Sequence, residues 1–192
     1  MTTIALFHSV LGVRRGVTDM ADRWRRDGHD VLVVDQYDGR VFDDYEEASA
    51  FVDEITFPVL MDKAVTATAD LPDGFVTAGF SNGAGMAQWV ATQRTVAGSI
   101  LFAGALPLEA FGLEAWPGAT AVQIHLTEND PYRDGPWTER FAVEAQEAGA
   151  AVELFEYPGA GHLFTDPTLP NEYDAESTAL AETRAAQFLA RL

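Results

Sequence analysis

With 192 residues, 47% of them hydrophobic and 11% aromatic, the chain has the size and composition of one globular domain with a substantial core, not of a disordered segment. Thirty acidic residues against twelve basic ones leave a formal charge of −18, which repels nucleic acid and anionic membrane alike and excludes both as expected partners. The absence of cysteine excludes a disulfide framework, a thiolate metal site and a cysteine nucleophile together.

Met1-Thr2-Thr3-Ile4 enters an apolar run without a basic region, so neither a signal peptide nor a membrane span is expected, and the default location is the cytoplasm. Ile4-Ala5-Leu6-Phe7 is short and continuously apolar, as a strand buried on both faces of a parallel sheet must be. It ends at His8-Ser9, and the loop Val10 to Gly16 leads to a helix expected over Val17–Asp27, with Gly28 past its end. Val31–Val34 is a second buried strand, which makes a right-handed βαβ unit. Glu46–Ala69 is helical in pattern with a break near Phe57-Pro58. A strand from Phe75, a turn and a helix to about Arg94 follow. Ser99–Ala103 is the next strand, Gly104–Gly118 a loop, Ala121–Leu126 a strand, Thr138–Ala148 a helix, Ala151–Phe155 the last strand and Ala175–Leu192 the closing helix. Strands and helices alternate throughout, so the class is α/β, a mostly parallel sheet with helices on both faces, and residues 1–192 read as a single domain.

The segment Phe75-Val76-Thr77-Ala78-Gly79-Phe80-Ser81-Asn82-Gly83-Ala84-Gly85-Met86 runs from β-prone residues through Gly-x-Ser-x-Gly into good helix formers. A nucleophilic serine needs this arrangement, because a tight turn lifts its hydroxyl above the sheet and the glycines let strand and helix approach closely. A bare Gly-x-Ser-x-Gly occurs by chance in about one chain in twenty of this size, so the rest of the chain must supply a base and an acid. It does so where parallel sheets place their chemistry, after the strands. Asp130 follows Leu126, and His162 follows Phe155, in the order Ser, Asp, His that α/β-hydrolase folds use. Ser81 needs a positioned base to remove its proton, His162 suits that role, and Asp130 is the carboxylate expected to fix the imidazole. Glu128 is the rival acid, with Asp166 and Asp134 behind it. Read alone, Asp130-Pro131 is a turn initiator.

Of the other histidines, His125 lies inside a strand and reads as core, and His29 as an exposed turn. His8 ends the first strand and is a candidate for the pocket. Backbone N–H groups of Val10 and Asn82 are the expected oxyanion donors. The pocket is expected to involve His8, Ser9, Leu11, Phe80, Tyr132, Trp137 and Phe164, whose mostly apolar character suits an apolar acyl or alcohol group. No histidine or carboxylate spacing suggests a metal, and no glycine motif a phosphate cofactor, so none of either is expected.

Val10-Leu11-Gly12-Val13 before a helix, Gly28-His29-Asp30-Val31-Leu32-Val33-Val34-Asp35-Gln36-Tyr37, the serine turn, Asn129-Asp130 and Gly161-His162-Leu163-Phe164 together resemble the dienelactone hydrolase family of α/β hydrolases over nearly the whole chain. The resemblance implies an α/β-hydrolase fold without a large cap domain, a Ser81-His162-Asp130 triad, and Val10 and Asn82 as oxyanion donors. The family's namesake has cysteine where Ser81 stands, glutamate where Ser9 stands, and a substrate-gripping arginine where Asp166 stands. The expected activity is therefore a serine hydrolase that cleaves a small neutral ester or lactone through an acyl-enzyme. Arg14, Arg15 and Arg40 are the residues that would serve if a carboxylate substrate were bound. Cleavage of a thioester or amide would use the same residues. A non-catalytic binding protein on the same scaffold is the reading from another class.

Overall fold

The computed structural model describes residues 1–133 and 136–192. Asp134, one of the alternative acids, lies outside the described residues. Six strands pair in parallel in the order β2-β1-β3-β4-β5-β6. They are β1 (Thr3–Phe7), β2 (Asp30–Val34), β3 (Phe75–Phe80), β4 (Val96–Phe102), β5 (Ala121–Thr127) and β6 (Val152–Tyr157). The helices are α1 (Arg15–Arg26), α2 (Tyr45–Ile55), α3 (Phe57–Ala67), α4 (Asn82–Gln93), α5 (Trp137–Glu147) and α6 (Ala175–Leu189). The expected architecture is present: this is an α/β-hydrolase sheet, and among the described residues no cap domain covers its strand ends. Also among the described residues, no helix is long and apolar enough to cross a membrane.

The central strands are apolar on both sides because both sides are covered. In β1, Ile4 and Leu6 face the layer of α1 and α6, where Trp24, Met20, Ala181 and Phe188 pack, while Ala5 and Phe7 face Leu60 of α3 and Met86 and Val90 of α4. All of these side chains are buried, and each large one contributes about 1.5–3 kcal/mol of transfer free energy.

Boundaries shift by a few residues where backbone geometry rules over pattern. The helical break falls at Thr56, one residue before the expected Phe57-Pro58, because Thr56 adopts φ 73°, ψ 146° and Pro58 then starts α3 in its first turn. The loop Gly104–Gly118 contains a short 3-10 turn, Leu108–Phe111, closed by Gly112 at φ 68°.

Since β1 pairs with β2 on one side and β3 on the other, the chain reverses its direction of travel across the sheet at β1 and β3. Loops leaving the carboxyl ends of those two strands diverge there and leave a crevice.

Candidate active site

Ser81 sits in that crevice on a strained turn. Its φ is 54° and ψ −116°, outside the region a serine ordinarily adopts, and its amide donates to the Phe102 carbonyl at 2.8 Å. The flanking glycines have a steric cause. A Cβ on Gly79 would overlap the Gly83 carbonyl, and one on Gly83 would overlap the carbonyls of Phe7 and His8, so strand and helix touch through bare backbone.

Three side chains from three strand ends meet at this turn. The Ser81 hydroxyl lies 2.7 Å from His162 Nε2, and His162 Nδ1 lies 2.6 Å from Asp130 Oδ2. An ionised Asp130 only accepts, so Nδ1 carries the proton and Nε2 is left to accept from the serine hydroxyl. The second oxygen of Asp130 accepts from the Tyr132 amide at 2.8 Å, which fixes the carboxylate plane. Both Asp130 and His162 are buried. Glu128 is exposed and plays no part in this chain of bonds. Asp166 is buried against the Arg14 guanidinium, 3.2 Å away, and is likewise elsewhere.

The imidazole is held from behind by its loop. Glu172 accepts from the Leu163 amide at 2.7 Å and from the Tyr45 hydroxyl at 3.0 Å. The Tyr45 phenol is pushed well above its ordinary value by burial and then by the Glu172 carboxylate, so it stays a neutral donor. Rings of Tyr132 and Tyr45 lie 4.9 and 6.3 Å from that of His162.

Ser81 opens into a cavity of about 280 Å³ shared by Val10, Asn82, Tyr132, Trp137, Asp130 and His162. Among the described residues, neither the Val10 nor the Asn82 amide donates to a protein acceptor. Tyr132 and Trp137, which both line the cavity, stand 54% and 42% exposed.

Five expected pocket residues are not in this cavity. Leu11, Phe80 and Phe164 are buried in the core beside α1 and α6: Phe80, the last residue of β3, faces that layer of the sheet, and Leu11 and Phe164 lie in turns that carry their side chains inward. Ser9 turns its hydroxyl to the Leu11 amide at 3.2 Å. His8 is fully buried, its Nδ1 donating to the Ser9 carbonyl at 2.6 Å and its Nε2 accepting from the Gln36 amide at 3.1 Å. Burial holds its pKa below the ordinary histidine value. It is a neutral clip that ties the loop after β1 to the loop after β2.

Other walls went unread in the sequence: Tyr45 and Ser49 from α2, Phe57 from α3, Ala103 to Leu106 after β4, Arg133 and Thr138. Gln88 pins one of these walls by reciprocal bonds of 2.9 Å to the Leu106 backbone, and Thr138 Oγ1 takes the Ala105 amide at 3.1 Å. None of Arg14, Arg15 or Arg40 lines the cavity. Arg14 holds Asp43, Asp166, Thr168 and the Phe42 carbonyl, Arg15 pairs with Asp19, and Arg40 lies 4.8 Å over the Phe51 ring.

The fold and this arrangement of strand ends define an α/β hydrolase. Solved structures agree on the fold. A dienelactone hydrolase-like promiscuous phosphotriesterase from metagenomic libraries superposes with a TM-score of 0.82 at 19% identity, over 100% of this chain and 87% of that one. The esterase PE8 gives 0.64 at 18% identity, over 97% and 92%. Esterase 2 of Thermogutta terrifontis, phosphorylated by paraoxon, gives 0.64 at 18% identity, over 99% and 82%. No curated protein sequence matches the chain. The model of the dienelactone hydrolase family matches residues 1–192. The chain belongs to that family and is an ester-cleaving hydrolase.

Proposed function

We propose that Ser81 is the nucleophile of a serine esterase or lactonase that works through an acyl-enzyme. The observation that carries this reading is the unbroken hydrogen-bond chain from the Ser81 hydroxyl through His162 to buried Asp130, at the floor of an apolar cavity. In the first step His162 Nε2 takes the hydroxyl proton as Ser81 Oγ bonds to the substrate carbonyl carbon. The oxygen that gains negative charge is received by the N–H groups of Val10 and Asn82, at the N-terminus of α4. Imidazolium then returns the proton to the leaving alcohol oxygen as the ester bond breaks, and water, deprotonated by the same imidazole, releases the acid. Asp130 fixes the tautomer and stabilises the imidazolium.

Apolar walls from Leu106, Leu126, Phe57 and Trp137 support a small neutral ester or lactone as substrate. Phosphotriesters are a second class to assay, since one similar structure is a phosphotriesterase and another was phosphorylated by paraoxon. A fluorophosphonate probe tests the mechanism. It is expected to label Ser81, and Ser81→Ala is expected to lose both labelling and ester turnover, the latter by several orders of magnitude. Labelling at Ser9 or Ser49 instead overturns the assignment.

A further inference from the structure

Apart from His162, Arg133 is the basic residue among the described residues that line the cavity, and it is already engaged. One terminal nitrogen donates to Glu156 in β6 at 2.6 Å, and the other to Glu139 in the first turn of α5. The Arg133 side chain is 22% exposed and each carboxylate 44%, so the guanidinium is the more sheltered end of both pairs. Two carboxylates around one guanidinium also leave an excess of negative charge at this corner.

Resting on the esterase reading above, we propose that Glu139 and Glu156 determine substrate specificity by occupying Arg133, so that the site selects neutral esters against those that carry a carboxylate. A carboxylate binds arginine best through two parallel N–H bonds, and both arms of Arg133 are committed to protein acceptors. An anionic substrate would have to displace one glutamate and lose hydration beside the other, with nothing to offset the loss. Arg14, Arg15 and Arg40 offer no substitute, because none lines the cavity. The selectivity therefore lies in acidic partners that mask a base.

The experiment compares p-nitrophenyl butyrate with p-nitrophenyl hemisuccinate, which differ chiefly by the terminal carboxylate, across the wild type, Glu139→Gln, Glu156→Gln, the double variant, and the double variant with Arg133→Gln added. The kcat/KM ratio of hemisuccinate to butyrate is expected to rise about ten- to a hundredfold in the double variant, the range of one charge-assisted hydrogen bond. It should return to the wild-type ratio when Arg133 is also replaced. An unchanged ratio in the double variant overturns the proposal. So does a gain that persists without Arg133, because the cause is then the general field rather than a freed guanidinium. Should the double variant fail to fold, Glu139→Gln alone is expected to show a smaller gain with the same dependence on Arg133. Calorimetric binding of glutarate to the same variants reads the inference without turnover. Arg133-dependent binding that appears only once the glutamates are neutralised supports it even if the ester chemistry proves wrong, and its absence overturns it.

Discussion

Asp130 divides its oxygens between the Tyr132 amide and His162, so its plane is set by backbone before the imidazole is engaged. Asp130→Asn preserves shape but replaces an obligate acceptor, and the imidazole can then settle in the tautomer that leaves Ser81 without a base. A loss of about 10⁴ in kcat is expected, the scale seen when a triad carboxylate becomes an amide. Glu128→Gln should leave kcat near the wild-type value, and steady-state kinetics on both variants decide between the two acids. Because the imidazole must be unprotonated to accept from Ser81, kcat/KM is expected to fall toward acid. A profile flat on the acid side, with chemistry limiting, contradicts a histidine base. At Gly83 the expectation is structural. Gly83→Ala forces a Cβ into the carbonyls that end β1, so both the fold's stability and the labelling of Ser81 should drop together.

Between α2 and α3 the chain turns at Thr56, whose φ of 73° with ψ of 146° belongs to a region glycine tolerates far better. The strain costs about 1–3 kcal/mol and exceeds the entropy that glycine forfeits on folding, so Thr56→Gly is expected to raise stability by about 1 kcal/mol in urea titration. Phe57 follows at once and lines the cavity, which gives this joint a place in the site as well as in the fold. The sequence carries no sign of that. Which helix passes over a crevice is settled by tertiary packing, so Tyr45, Ser49 and Phe57 were invisible as pocket walls. The Arg14–Asp166 pair, joined across 152 positions, was hidden for the same reason. The central strands were legible because a strand covered on both faces must be largely apolar. That Ser81, Asp130 and His162 meet was legible because each follows a strand and the ends of parallel strands lie at one edge of the sheet. Leu11, Phe80 and Phe164 misled for a reason of the same kind, since proximity along the chain says little about which way a side chain points.

Across the whole molecule, His125 and His8 couple folding to pH. His125 Nε2 donates to Gln123 Oε1 at 2.9 Å, and its Nδ1 accepts from the Tyr157 hydroxyl at 2.8 Å, so both nitrogens are satisfied in the neutral ring. Burial lowers its pKa from 6.5 to about 3. The unfolded chain therefore takes up a proton as pH falls below 6.5 while the folded one does not until about 3. Stability is lost progressively in that window, by up to about 1.4 kcal/mol per pH unit for one such group. His125→Gln should flatten the slope of unfolding free energy between pH 6.5 and 5, above the range where most carboxylates titrate. Chemical denaturation at a series of pH values measures it. The charge of −18 acts in the other direction along the salt axis. Self-repulsion opposes the compact state, so added salt is expected to raise the melting temperature. The order in which the chain is made adds a last consequence. Ser81 is presented on a turn built from β1, β3 and α4, whereas Asp130 and His162 belong to later segments, and the sheet face that holds Ile4 and Leu6 has only α1 over it until α6 arrives. During synthesis the Ser81 turn can thus form before Asp130 and His162 have been made, on a sheet covered on that side by α1 alone, so a nascent chain is expected to stay inert toward esters until the segment that carries His162 has joined the sheet.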